Sequence, residues 1–390
     1  MVGDTGIAKI HLAIVIGSSC FRDGGRFYSV IDFVNQLENV KEQSISGMLT
    51  PEGFSVGIIF PRIQIVCCLA GNKTEFFMWS KIRPYMLIAR FDHWFKNVFM
   101  LPGVVVALYA EPDLLSWKTL WSLLLALLAT GMVASSNYVL NELLDARFDA
   151  LHPVKKNRPI PSGLINKPVA FIQWIVFGII GLALAWLLGR NFFLVALALW
   201  IMGCVYNIPP IRSKDKPYFD VLSESVNNPL RLLLGWYATG ISVLPPISLV
   251  LAYWMVGAFF MAVKRFAEYR RINDPDVSAR YRQSFAHYNE ERLLTSIIYY
   301  AVAFGLFFGI FLIRYRMELI VSIPFIAGFI AWYIHLGFLE NSPTQYPEHL
   351  YKQRGFLYYC IFCGVVLLAL LFIPIPILHE IFQPTITAAG

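Results

Sequence analysis

From Trp94 to Leu378 the chain alternates long apolar runs with short polar links. A helix that spans the hydrocarbon core of a bilayer needs ~20 mostly apolar residues. Nine runs come close to that length: 94–110, 118–141, 168–189, 191–207, 222–241, 246–267, 293–313, 318–339 and 355–378. Strands with open edges would leave backbone groups unpaired in lipid, so the runs are expected to be helices. The predicted fold is all-α, a polytopic membrane bundle of nine transmembrane helices with a polar cavity facing the cytoplasm. The first 77 residues have a different pattern. Ile10–Ile16 is apolar but too short to span, and Phe54–Leu69 is interrupted by Pro61 and Arg62. Neither resembles a cleaved signal peptide. The expected organisation is an extension over 1–77, followed by a transmembrane domain over 78–390. Met78 directly precedes the basic segment Trp79-Ser80-Lys81-Ile82-Arg83-Pro84 and is a candidate natural start; the alternative is an accessory segment.

Composition supports lipid as the solvent. The chain is 57% hydrophobic and 15% charged, against about half and about a quarter in soluble domains. The net charge of +7 does not sit on a polar domain, which argues against nucleic acid as a partner. Instead the basic residues lie in short loops. Lys81, Arg83, Arg90, Lys96, Arg147, Lys155, Lys156, Arg158, Lys167, Arg212, Lys214, Lys216, Lys264 and Arg265 fall on one side, with further Arg and Lys residues up to Arg354. The opposite side holds only Lys118, Arg190, Arg314 and Arg316. By the positive-inside rule the basic loops are cytoplasmic, in the inner (plasma) membrane. A transporter would place charges near the midplane; here they gather at one face. Cys360-x-x-Cys363 lies in an apolar run without a second Cys or His pair, and reads as helix packing.

The strongest chemical signal is Asn141-Glu142-x-x-Asp145-x-x-x-Asp149. On a helix, 141, 145 and 149 share one face. Carboxylates at the end of an apolar helix are costly unless paired or metal-bound. Mg²⁺ takes oxygen ligands and bridges one or two carboxylates to substrate phosphates. Asn141, Asp145 and Asp149 are therefore candidate metal ligands, with Glu142 assisting. Beyond them lies His152-Pro-Val-Lys155-Lys156-Asn157-Arg158-Pro-Ile-Pro-Ser-Gly163. Its cations, Lys155, Lys156 and Arg158, suit a diphosphate. A second polar stretch runs from Tyr206 through Arg212, Lys214 and Asp220 to Glu224, Asn227, Asn228 and Arg231. Polar groups entering a membrane helix face the bundle interior. Tyr206 and Arg231 are candidate phosphate contacts, and Asp220, Glu224 and Asn228 candidate pocket residues. Asp220 and Glu224, at i and i+4, also offer a second metal pair, or a polar network that pins the helix. Lys96, beside Trp94, reads as an interfacial anchor or as a phosphate contact.

The run from Asn141 to Gly163 resembles the first signature of the UbiA superfamily of intramembrane prenyltransferases, N-D-x-x-D-x-x-x-D followed by a basic R-P-[IL]-x-x-G segment. Glu142 stands where that signature has Asp. The resemblance covers roughly residues 80–378. The superfamily's second signature, a D-x-x-x-D motif at the end of helix six that binds a second Mg²⁺, is replaced by Lys264-Arg265-Phe-Ala-Glu268. This is similar to the decaprenyl-phosphate phosphoribosyltransferase branch, as is Asp92-His93-Trp94-Phe95-Lys96-Asn97 beside that branch's H-Q-W-x-K-N. The resemblance implies a Mg²⁺-dependent transferase that displaces diphosphate. Its donor would be phosphoribosyl diphosphate and its acceptor a polyprenyl phosphate, with Lys264 and Arg265 on phosphate and Glu268 in the pocket. The alternative moves a polyprenyl group from its diphosphate to an aromatic or other small acceptor. Implied partners are a lipid-linked substrate and a diphosphate donor, and a homo-oligomer is compatible with the sequence.

Overall fold

The computed structural model describes residues 73–382, apart from 151–154, 273, 275, 276, 279, 280 and 346. The expected 1–77 extension thus falls almost wholly outside the described residues. The chain divides into two units, Met1–Trp79 and Ser80–Gly390. The second contains the acidic stripe and the nine runs from Trp94 onward, and its described elements are all helical.

The helices are α1 (Lys73–Ala89), α2 (Leu101–Ala110), α3 (Trp117–Asp149), α4 (Lys167–Leu187), α5 (Arg190–Asn207), α6 (Phe219–Ser225), α7 (Asn227–Ala238), α8 (Ile247–Ile272), α9 (Glu290–Tyr315), α10 (Ile323–Phe338), α11 (Arg354–Phe372) and α12 (Pro376–Ile381). Seven described segments are long and apolar enough to cross a membrane: α3, α4, α5, α8, α9, the segment Met317–Phe338 that includes α10, and α11. Caps set several of their ends. Ser116 accepts from Thr119 N at the start of α3, and Asn289 accepts from Arg292 N at the start of α9. Cys360 and Cys363 lie on α11 as free thiols.

The other two predicted spans are each in two pieces. Residues 91–110 form a 3-10 helix, Phe91–Met100, that runs into α2. Ten 3-10 residues and ten α residues together extend about 35 Å, so this segment has the length of a span without being one α-helix. The run 222–241 breaks at Val226, between α6 and α7. The cause is local. Pro229 has no N–H to donate to Ser225, and the Asn227 side chain takes the Glu224 carbonyl at 2.9 Å. Backbone that departs from α-helix at membrane depth is tolerated where protein or a polar cavity surrounds it.

Those two broken segments pack on each other. A Cβ at Gly103 of α2 would collide with the Leu232 carbonyl, and one at Gly235 of α7 with the Met100 carbonyl. Only glycine permits this backbone-to-backbone approach. Two of the apolar cores join the longer helices. One joins α3, α5 and α7 through Ala126, Ala129, Val133, Phe192, Leu199 and Trp236. The other joins α8, α9, α10 and α11 through Phe259, Phe266, Leu293, Ile297, Tyr333 and Phe356. Small polar residues on α3 fasten its neighbours: Ser135 accepts from Trp94 Nε1 at 2.9 Å, Ser136 donates to the Trp174 carbonyl at 2.7 Å, and Asn137 donates to the Leu199 carbonyl at 3.0 Å. The C-terminal end of α3 is held between α4 and α5, which places its acidic stripe beside the links that come after α3 and α5.

Candidate active site

Two charged clusters form on these helix ends. The first is the acidic stripe of α3 with the polar link after α5. Asn207, the last residue of α5, organises it. Its Oδ1 accepts from Asn141 Nδ2 and from Lys214 Nζ, each at 2.7 Å, and its Nδ2 donates to the Gly203 carbonyl at 2.9 Å. With the Asn141 amide nitrogen thus committed, its oxygen is the end left for a cation. Asp145 is paired through one oxygen, Oδ1, with Arg212 Nη2 at 2.9 Å and Lys214 Nζ at 2.6 Å. Among the described residues no hydrogen bond engages its Oδ2. Asp149 pairs with Arg158 Nη1 at 2.6 Å. Glu142 is buried and accepts from the Ile160 backbone N–H at 3.5 Å, which ties the basic loop to α3. Burial draws the Lys214 ammonium down to about 8, against the pull of Asp145.

The second cluster surrounds Arg265 of α8, which is 1% exposed. Its guanidinium meets three carboxylates: Asp220 at 3.1 Å, Glu224 at 2.7 Å and Glu268 at 3.2 Å. Tyr206 donates to Glu224 at 3.0 Å, Tyr288 to Asp220 at 2.8 Å and Ser284 to Asp220 at 3.2 Å. Burial, with Asp220 beside it, pushes the Tyr288 phenol well above its ordinary value, so it stays a donor. Arg282 Nε stands 3.9 Å from Glu268. Asp220 and Glu224, the possible second metal pair, are therefore bridged by a guanidinium, and Arg265 spends its donors on carboxylates. Lys264 is half-buried and forms no ion pair among the described residues, so of the two basic neighbours it is the one with its charge to offer. Arg265→Met is expected to destabilise the protein by ~3–5 kcal/mol, because it strands buried carboxylates. Thermal unfolding in detergent reads this directly; an unchanged Tm would show that the cluster contributes nothing to the fold.

Placement of the remaining candidates is mixed. Lys156 is exposed, Lys96 is half-buried without an ion pair among the described residues, and the Lys155 side chain lies outside the described residues. Asn228 lies across α8 at Gly257, where any Cβ would strike its Nδ2. Arg231 is buried on α7. The structure also brings in Asn207 and Arg90, which have no ligand role on sequence grounds, and sets Arg212 and Lys214 of the polar stretch against the α3 stripe. Arg90 lies 5.7 Å over the Tyr138 ring. Burial and the neighbouring Arg158 lower its pKa from the ordinary value, while Glu142 opposes that. Three non-glycine residues with positive φ border the clusters: Arg90 at 49°, Arg212 at 27° and Tyr218 at 64°. Strain of this kind persists only where surroundings over-determine it, and it concentrates at functional sites. Tyr218 spends it on donating its N–H to Tyr288 Oη at 2.6 Å.

Among the described residues no three His, Cys, Asp or Glu side chains converge as a metal cluster. The first cluster still fits Mg²⁺. It presents an amide oxygen and two carboxylates, all hard ligands, and this ion is commonly held by only one or two carboxylates together with substrate phosphates.

The chain belongs to the UbiA prenyltransferase family, which it matches over residues 99–361, and it is a multi-pass membrane protein. It is 30% identical over 176 residues to the decaprenyl-phosphate phosphoribosyltransferase of Mycobacterium tuberculosis, a match that covers 45% of this chain and 56% of the relative. The chain thus spans little more than half of that relative's length. It is 26% identical over 182 residues to the protoheme IX farnesyltransferase of Thioalkalivibrio sulfidiphilus, covering 46% of this chain and 59% of the relative. Its fold is similar to that of a UbiA homologue from Archaeoglobus fulgidus bound to GPP and Mg²⁺, with a TM-score of 0.55 and 22% identity over 75% of this chain and 98% of the other.

Proposed function

We propose that this chain is a Mg²⁺-dependent transferase that displaces diphosphate from phosphoribosyl diphosphate and passes the phosphoribosyl group to a polyprenyl phosphate. The observation that carries this reading is the asymmetry of the two clusters. One offers a metal-compatible set, Asn141, Asp145 and Asp149; in the other the Arg265 guanidinium lies among the three carboxylates, in the place a second metal ion would take. Similarity to phosphoribosyltransferases of the same family supports it.

When bound, Mg²⁺ neutralises the charge that develops on the departing diphosphate. The protein's own residues do the rest. Asn141, Asp145 and Asp149 orient the donor's diphosphate. Arg212, Lys214 and Arg158, now resting on the carboxylates, turn to phosphate oxygens when a donor binds; Lys264 adds a cation from α8. Glu142 anchors the loop that carries Arg158. The bond between the donor carbon and diphosphate breaks as a phosphate oxygen of the acceptor attacks that carbon. In this reading nine membrane crossings, two of them the broken segments, put the site at the cytoplasmic face of the inner membrane, and the lipid tail enters between helices.

The second reading, prenyl transfer to a small acceptor, is favoured by the farnesyltransferase similarity and by the prenyl-diphosphate-bound structural relative. Diphosphate release in membranes separates the two. Release is expected from phosphoribosyl diphosphate plus a polyprenyl phosphate, and is expected to vanish with EDTA and return with Mg²⁺. Release from a prenyl diphosphate alone would replace the first reading with the second.

A further inference from the structure

Arg231 stands apart from both clusters. It lies one turn into α7 with its side chain buried, 7% exposed. Its hydrogen bonds are long: Nε to Asn97 Oδ1 and Nη1 to the Asn227 carbonyl, each at 3.4 Å. Both approach the limit of a real hydrogen bond. No carboxylate lies within ion-pair distance of it among the described residues. Its electrostatic neighbours are two phenols, Tyr138 and Tyr253. The other buried cations behave differently: Lys214 is paired with Asp145, and Arg265 with three carboxylates. A buried charge that lacks both a counter-ion and good hydrogen bonds is costly. A guanidinium in that state fits an anion that arrives from outside the chain.

The geometry around it suits such an anion. Asn97 is buried beside it on the 3-10 helix. Tyr138 belongs to α3, seven residues before Asp145 and on the same face, so it lies about 10 Å away along the helix axis. Arg90 covers the Tyr138 ring. A second anion-binding point here would flank the same reacting region as the α3 carboxylates, from deeper in the bundle.

We propose that Arg231, with Asn97, forms a second anion subsite that takes a phosphomonoester, distinct from the diphosphate held at Asp145. That a phosphomonoester is the ligand rests on the phosphoribosyl reading. Two sources share this chemistry: the phosphate of the lipid acceptor and the 5-phosphate of the donor sugar.

The test uses the full chain in nanodiscs and measures binding rather than turnover, so it remains informative if the donor assay favours prenyl transfer. Dodecyl phosphate stands for the lipid source and ribose 5-phosphate for the sugar source. The variants are Arg231→Met and Arg231→Lys. At least one probe is expected to raise the wild-type Tm. Arg231→Met is expected to weaken its binding by roughly 30-fold or more, the loss seen when one partner of a buried charge pair is removed. Arg231→Lys should retain part of it. Without probe, Arg231→Met should unfold at the wild-type temperature or above it, since an uncompensated charge has been replaced by an apolar group of similar length. A response to dodecyl phosphate assigns the subsite to the acceptor, and a response to ribose 5-phosphate assigns it to the donor. The proposal is overturned if the wild type binds neither probe, if Arg231→Met binds as wild type does, or if Arg231→Lys loses stability without losing affinity. The last result would make Arg231 a structural residue.

Discussion

Asp145→Ala is expected to lower diphosphate release by about 1,000-fold or more, the several kcal/mol that a lost Lewis-acid metal is worth. Asp145 is the residue on which the first cluster converges, because Arg212 and Lys214 both rest on its Oδ1. Its carboxylate is 20% exposed, so it opens toward the space a donor would enter. The variant should stay folded. Lys214, whose ammonium burial already draws down to about 8, can shed its proton when the partner is gone, and Arg212 keeps Asp215 at 2.6 Å. The measurement is release from purified protein beside a thermal melt of the same sample. Near-normal turnover in a folded variant would remove Asp145 from the chemistry and, with it, the metal site.

A large structural effect is also expected of Gly235→Ala. A single methyl at this position meets the Met100 carbonyl, and backbone cannot step aside as a side-chain tip can. The facing Gly103 is equally committed to the Leu232 carbonyl. A loss of at least the ~3 kcal/mol at the top of ordinary overpacking is expected, with poor recovery of monodisperse protein from detergent. Arg231 and Asn97 sit on the two segments this contact joins, so their hydrogen bond should be lost as well. A Tm within about 2 °C of wild type, for a protein this size about 1–2 kcal/mol and so short of the expected loss, would show that the helices can separate freely.

The range of each signal explains why part of this molecule is legible in its sequence and part is not. The stripe Asn141, Asp145, Asp149 needs only helical periodicity, and α3 carries all three. Seven long apolar helices are legible because hydropathy is local. The break at Val226 is visible only as an excess of polar residues before Pro229; the side-chain bond from Asn227 to the Glu224 carbonyl decides that it breaks there. Lys264-Arg265 reads as a matched pair of phosphate cations. The bundle separates them, because adjacent residues on a helix point in different directions. Arg265 turns inward to three carboxylates and Lys264 does not.

The basic link after α5 shows the same limit from the other side. Arg212 and Lys214 are evident as charges, yet their partner Asp145 is nearly seventy residues earlier in the chain. No spacing rule connects them; the packing of α3 against α5, pinned by Asn137 and Asn207, does.

By itself, then, the sequence determined the solvent, the helical class, the family resemblance and the one acidic stripe, since each of these depends on composition or on residues within a few turns of one another. Only the tertiary structure decided which charges are spent and which are available. Arg265 and Arg231 look alike in sequence, each a basic residue where an apolar run meets a polar stretch. One is neutralised by three carboxylates and the other by none among the described residues, and that difference exists only once helices distant in sequence have brought their buried groups together.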